Sequence, residues 1–169
     1  MTRWTLIIFN LVAFDVCWTL AMLGASRSWW WCGPLVIAAS LAIQLRAPPS
    51  PRREAAIIFT GALIGTLLDW TAVALGLFSH EGRSTAAFLV ISFSLWLNFG
   101  TTLRPALRWM WRRPAPAAAL GGFGGPLAYW VGARLGAISI AQPMALTLAW
   151  VAVQYALATP LWMLDRKSV

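Results

Sequence analysis

Residues 55–78 read AAIIFTGALIGTLLDWTAVALGLF, twenty-four residues with a single charge among them. As an α-helix such a run spans about 36 Å, enough to cross the ~30 Å hydrocarbon core of a bilayer. No water is available there to satisfy a backbone N–H or C=O, so a continuous apolar run must bond to itself as a helix. The run also has neighbours. Apolar segments separated by charged or turn-rich stretches place six helices near 4–24, 30–45, 55–78, 86–103, 115–133 and 144–164. The expected fold class is therefore all-α: a six-transmembrane-helix bundle that makes residues 1–169 one integral membrane domain. The second run is short, and Trp29, Trp30 and Trp31 mark its interfacial end.

Composition points the same way. The chain is 60% hydrophobic and 11% charged, whereas a soluble domain carries about 25% charged residues. A water-soluble core of this size could not hide so much apolar surface. The net charge of +8 would suit nucleic acid, but the arginines stand in short clusters between apolar runs, where they orient a chain in a bilayer. Nucleic acid is excluded as a partner on that pattern. A cleaved leader is not expected, because the first run is longer than a usual leader core and contains Asn10 and Asp15. The two cysteines, Cys17 and Cys32, have no metal or redox spacing. They read as buried free thiols, with a Cys17–Cys32 bridge as the alternative.

The basic residues sort the loops. Arg3, Arg46, Arg52, Arg53, Arg104, Arg108, Arg112, Arg113, Arg166 and Lys167 fall on one side, and Arg27, Arg83 and Arg134 on the other. Ten against three is a strong bias, so both termini are expected in the cytoplasm. The loops APPSPRRE and RPALRWMWRRP then face inward, and SHEGRST and ISIAQP outward.

Three outward-running helices end alike, in WTLAMLG (18–24), WTAVALG (70–76) and WVGARLG (130–136). Each returning helix carries one carboxamide, Gln44, Asn98 or Gln154, and the spacing from Trp to amide is 26, 28 and 24 residues. One helical hairpin used three times, in pseudo-threefold arrangement, would give this pattern. Chance recurrence in a small apolar alphabet with 12 tryptophans would give it too. Mitochondrial carriers also have three hairpins, but their Pro-x-Asp/Glu-x-x-Lys/Arg signature is missing from this sequence.

Asp69 is the charge inside the third run. Ala62, Gly65, Thr66, Ala72, Val73 and Gly76 recur around it at spacings of three and four, so they share its face. Small residues on that face, Gly61 and Gly65 included, let another helix come close. The carboxylate is therefore expected to face protein, about 21 Å from the cytoplasmic end of its helix and past the midplane. A lone charge at membrane depth costs about 2.5–3.5 kcal/mol on insertion scales, and residues that bear this cost mark ligand or proton paths, or structural pairs. Asp15 lies near midplane, and Tyr129 precedes Trp130 as Asp69 precedes Trp70. Ser94, Asn98 and Thr101 align on the fourth helix. The nearest candidate cation for Asp69 is Arg134. For the amides, hydrogen-bonded ties between helices are the plainer reading, and for Tyr129, packing with a satisfied hydroxyl.

Other motifs carry less. GGFGGP (121–126) lacks the Lys-Ser/Thr of a phosphate loop and opens an apolar helix, so close packing and a kink at Pro126 are expected. His80 has no partner for metal or nucleophilic chemistry, and no Ser-His-Asp set, HExxH or cysteine cluster occurs, so no metal or cofactor is expected. Arg104, Arg108 and Arg112, four apart beside Trp109 and Trp111, suit interfacial anchoring or an anionic-lipid headgroup site.

LWLNFGTTLRPALRW and GGPLAYWVGARLGA, together with FNLVAFDVCW, PRREA and LLDW, are the stretches by which the chain resembles a group of small bacterial inner-membrane proteins, defined as a domain of unknown function. The resemblance runs through the whole chain. It implies a single-domain protein of the bacterial inner membrane and, through genes that neighbour fatty-acyl-modifying enzymes, a lipid-related role. It supplies no catalytic residues.

The leading expectation is binding or transport of a small or amphipathic, lipid-related ligand in a polar cavity of the outer half. Asp69 and Asp15 would be its charged anchors, Asn98, Tyr129 and Gln154 would orient it, and Arg134 would stand at the mouth. The first alternative is an accessory subunit of a lipid-modifying enzyme, docking through the basic loops. The second is a membrane enzyme that uses the two aspartates as acid and base.

Overall fold

The computed structural model describes residues 3–79, 84–111 and 113–164. It is all-helical, with six α-helices: α1 (Arg3–Ala25), α2 (Cys32–Gln44), α3 (Pro51–Ala74), α4 (Thr85–Thr102), α5 (Pro114–Arg134) and α6 (Met144–Leu164). A one-turn 3-10 helix at Arg108–Met110 joins α4 to α5. Two short strands, β1 (Phe78–Ser79) and β2 (Ser139–Ile140), pair antiparallel, with Phe78 opposite Ile140. They define a sheet end, opposite a basic end that holds Arg46, Arg104 and Arg108.

Four helices, α1, α3, α4 and α6, are long and apolar enough to cross a membrane. At 13 residues, α2 spans about 20 Å. α5, rich in glycine and proline, is not among the four.

Helix ends follow local chemistry. Prolines open α3 and α5, where the missing N–H costs nothing. Pro51 starts α3 ahead of Ala55, and the helix stops at Ala74, short of Phe78. The stop is a glycine cap. Gly76 takes φ +69°, and the N–H groups of Gly76 and Leu77 return to the carbonyls of Val73 and Ala72. Gly136 repeats this at the end of α5, with φ +76° and the same two bonds to Ala133 and Gly132. The Trp-to-Leu-Gly sequences thus end two helices in one way. The third, at Gly24, does not: α1 runs on to Ala25 without a left-handed glycine.

Consecutive helices pair as hairpins, α1 with α2, α3 with α4 and α5 with α6. α4 is the most buried of the four apolar helices and also packs against α1 and α2. The hairpins are tied by their amides. Asn98 Nδ2 donates to the Phe14 carbonyl on α1 (3.0 Å), and Gln154 Nε2 donates to the Leu68 carbonyl on α3 (3.3 Å). Gln44 turns instead to its own hairpin, where its Oε1 accepts from Asn10.

Large apolar side chains face outward as well as inward, and several polar ones are buried. Leu63, Ile64 and Leu67 point outward, while Ala62, Thr66, Asp69, Asn98 and Thr102 are buried. Small and polar residues share the helix contacts with large ones such as Ile58, Trp96 and Leu103, while many further large apolar side chains face the surroundings, as lipid contact permits. Tryptophans stand exposed near both ends, Trp4 and Trp109 at one and Trp31 and Trp130 at the other.

Candidate functional site

The buried stripe of α3 consists of Glu54, Ile58, Gly61, Ala62, Gly65, Thr66, Asp69 and Ala72. Its glycines receive rings rather than a helix backbone. A β-carbon at Gly65 would come within 2.1 Å of the Trp96 indole, and one at Gly61 within 1.8 Å of Trp162. With Gly65 bare, Trp96 of α4 lies flat on α3, and its indole N–H reaches the carboxylate one turn further on.

Asp69 is 5% exposed and accepts three hydrogen bonds. Ser92 donates to Oδ2 at 2.6 Å, Trp96 Nε1 donates to Oδ2 at 2.9 Å, and the Tyr129 hydroxyl donates to Oδ1 at 2.5 Å. Ser92 and Trp96 come from α4 at i and i+4, and Tyr129 from α5. None of these partners carries a positive charge. They replace water for the carboxylate, as buried polar groups require, but they do not neutralise it.

The carboxylate lies on the wall of a cleft of about 510 Å³ between α1, α4 and α5. Such a volume is that of a small-molecule site. Leu11, Phe14, Trp18 and Met22 supply the α1 side, and Leu120, Gly124 and Tyr129 part of the α5 side. Met22, Ala25, Ile91 and Ala137 pack together and close it toward the sheet end. Leu11, Leu120 and Leu127, all exposed, edge the open side. The lining is overwhelmingly apolar and aromatic, unlike the polar cavity expected from the sequence. Its rings form a connected wall: Phe88 meets Phe78 (6.3 Å), Phe78 meets Tyr129 (5.0 Å), Tyr129 meets Tyr155 (6.0 Å) and Tyr155 stacks on Trp96 (4.6 Å).

Of the expected ligand residues, Asp69 and Tyr129 meet in this cleft. Asn98 is buried on another face of α4, against α1, and Gln154 is bonded to α3; neither lines the cleft. Arg134 is exposed at the helix end, with its guanidinium 5.3 Å from the Trp130 ring, and does not pair with Asp69. Cation–π stacking holds it there. Asp15 is exposed on α1 and lies outside the lining, although it shares a helical stripe with Leu11, Trp18 and Met22, which do line it. It therefore stands at the rim. Arg104 is half-buried and Arg108 exposed, stacked 5.4 Å from Trp111; Arg112, like His80, lies outside the described residues. Both cysteines are free thiols. Among the described residues no group of three metal-ligating side chains occurs.

Ser92, Trp96, Tyr155 and Phe78 were not singled out from sequence. Trp96 carried a signal: a tryptophan in mid-helix, away from both interfaces, needs an acceptor for its N–H. Asp69 was the available one.

A helical-bundle protein with, among the described residues, four helices long and apolar enough to cross a membrane and a buried acid on the wall of an apolar cleft is the class that fold and site define. Within it, the chain belongs to the family described as protein of unknown function (DUF2878), whose model matches residues 7–161. No curated protein and no solved structure matches the chain.

Proposed function

We propose that this is an integral protein of the bacterial inner membrane, with all six helices in the bilayer as three hairpins and both termini cytoplasmic. It binds a small or amphipathic, lipid-related ligand in the cleft between α1, α4 and α5, for storage or for transport. The observation that carries this is a half-enclosed cleft of about 510 Å³ with a buried carboxylate on its wall. The many exposed large apolar side chains and the exposed tryptophans near both ends support the bilayer. So does the excess of arginine at one end.

Gly124 gives the test. It lines the cleft, and a β-carbon added there meets nothing within 4 Å. Gly124→Phe therefore obstructs the cleft without touching Asp69. Native mass spectrometry of the wild-type protein from neutral-lipid nanodiscs is expected to show one retained small molecule or lipid, lost in Gly124→Phe. A wild-type protein that retains nothing would overturn the ligand reading, as would retention unchanged by the bulky ring.

A further inference from the structure

The cleft is chemically one-sided. We propose that its ligand is a lipophilic cation, an ammonium or similar organic cation on an apolar chain, with its charged centre at Asp69. This rests on the cleft being a ligand site, and narrows what that site selects.

Three observations converge. The first is an unbalanced charge. Asp69 Oδ2 accepts two hydrogen bonds and Oδ1 only the one from Tyr129, so Oδ1 keeps acceptor capacity beside the cleft. All three donors are neutral. In an apolar interior little solvent screens the attraction between a carboxylate and a cation.

The second is the wall. Of the connected rings, Tyr129 and Trp96 touch the carboxylate through their O–H and N–H, and Phe78, Phe88 and Tyr155 line the same cleft. Aromatic faces attract cations and are neutral or unfavourable to anions, and an acid with several rings is how organic ammonium groups are recognised. Three of the described arginines, Arg27, Arg108 and Arg134, each stack on a tryptophan near an end of the bundle. Among the described residues, no basic side chain lines the cleft.

The third is shape and access. From Ser92 to Thr102 the cleft follows α4, a distance of about 15 Å at 1.5 Å per residue, so an alkyl chain of medium length fits below the acid. The open side lies between Leu11 of α1 and Leu120 and Leu127 of α5. Asp15 stands at that rim with a second negative charge. A ligand approaching through the bilayer thus meets one acid at the edge and one inside.

The test uses three amphipaths of one chain length with the intact protein in neutral-lipid nanodiscs: dodecyltrimethylammonium, dodecanol and dodecanoate. Binding is read by calorimetry below their aggregation concentrations. The ammonium is expected to bind saturably and about ten-fold more tightly than the other two, the ratio that one charge-assisted contact supplies. Asp69→Asn, which keeps the shape, removes the preference, and Asp15→Asn weakens it. Should Asp69→Asn not fold, dicyclohexylcarbodiimide labelling of Asp69 in the wild-type protein gives the same reading: the ammonium protects and dodecanol does not. Equal binding of all three would overturn the cation while leaving the ligand site standing. A preference that survives Asp69→Asn, or labelling that the ammonium does not slow, would likewise overturn it. Binding of none would overturn both.

Discussion

Asp69 shows how much one side chain depends on its neighbours. Its inward direction follows from the small residues that share its helical face, and the buried stripe of α3 agrees. What it touches does not follow. Ser92 and Trp96 are four apart on α4, a spacing that puts them on one face, but nothing local says which helix that face meets. Trp96→Phe keeps the ring and removes the N–H, leaving Oδ2 with Ser92 alone. It is expected to cost about 1.5–3 kcal/mol, the usual contribution of one hydrogen bond to a charged group, measured by reversible denaturation in mild detergent. Gly65→Ala places a methyl group where the indole lies. It is expected to cost about 1–3 kcal/mol as overpacking, and to shift the fluorescence of Trp96 in a variant that keeps that tryptophan alone. Asp15 shows the opposite dependence. It lacks the small neighbours of Asp69, having Leu11, Val12, Trp18 and Thr19 three and four residues away, and it is exposed.

At the scale of the element, the ends of α3 and α5 are the clearest case of local sequence fixing local structure. Leu-Gly after an apolar helix places glycine in the left-handed region, and the two returning N–H bonds form in both. Alanine at Gly76 or Gly136 meets no crowding, since nothing approaches closer than 3.9 Å, so the cost is conformational. Each substitution is expected to lower stability by about 1 kcal/mol. Gly124→Ala, with open space and ordinary helical φ, is expected to raise it by about 0.5–1 kcal/mol. Thermal melting of the three variants side by side checks the contrast. The same Leu-Gly at residues 23–24 does not act this way, because α1 continues through it to Ala25. There a β-carbon on Gly24 would come 2.9 Å from the Trp29 carbonyl, so the glycine admits the following turn instead. Identical letters served two purposes, and only the chain that follows them decided which.

The whole molecule is three paired hairpins around α4, with the seam between α1 and α5 left open. Asn98 links the second hairpin to the first and Gln154 the third to the second, but Gln44 stays within the first. The cleft lies in that unclosed seam. Orientation belongs to this scale. In a background without Cys17 and Cys32, Ser28→Cys and Ser50→Cys place thiols on exposed positions at opposite ends. An impermeant maleimide added to intact bacteria is expected to label residue 28, and to label residue 50 only after the membrane is opened. The reverse pattern would place the basic loops outside and contradict the charge rule.

The sequence by itself determined that this chain is helical and where its apolar runs lie. Both are local consequences of composition and spacing: a long apolar run in lipid must satisfy its own backbone, and small residues at three and four mark the face it buries. Only the tertiary structure decided that Asp69 is met by Ser92, Trp96 and Tyr129, that Asn98 and Gln154 tie helices away from the cleft, and that Arg134 stacks on Trp130. Those outcomes depend on which helices become neighbours and at what rotation. Helix pairing through apolar and small residues is nearly degenerate in sequence, so the partners of a polar side chain are settled when the bundle closes.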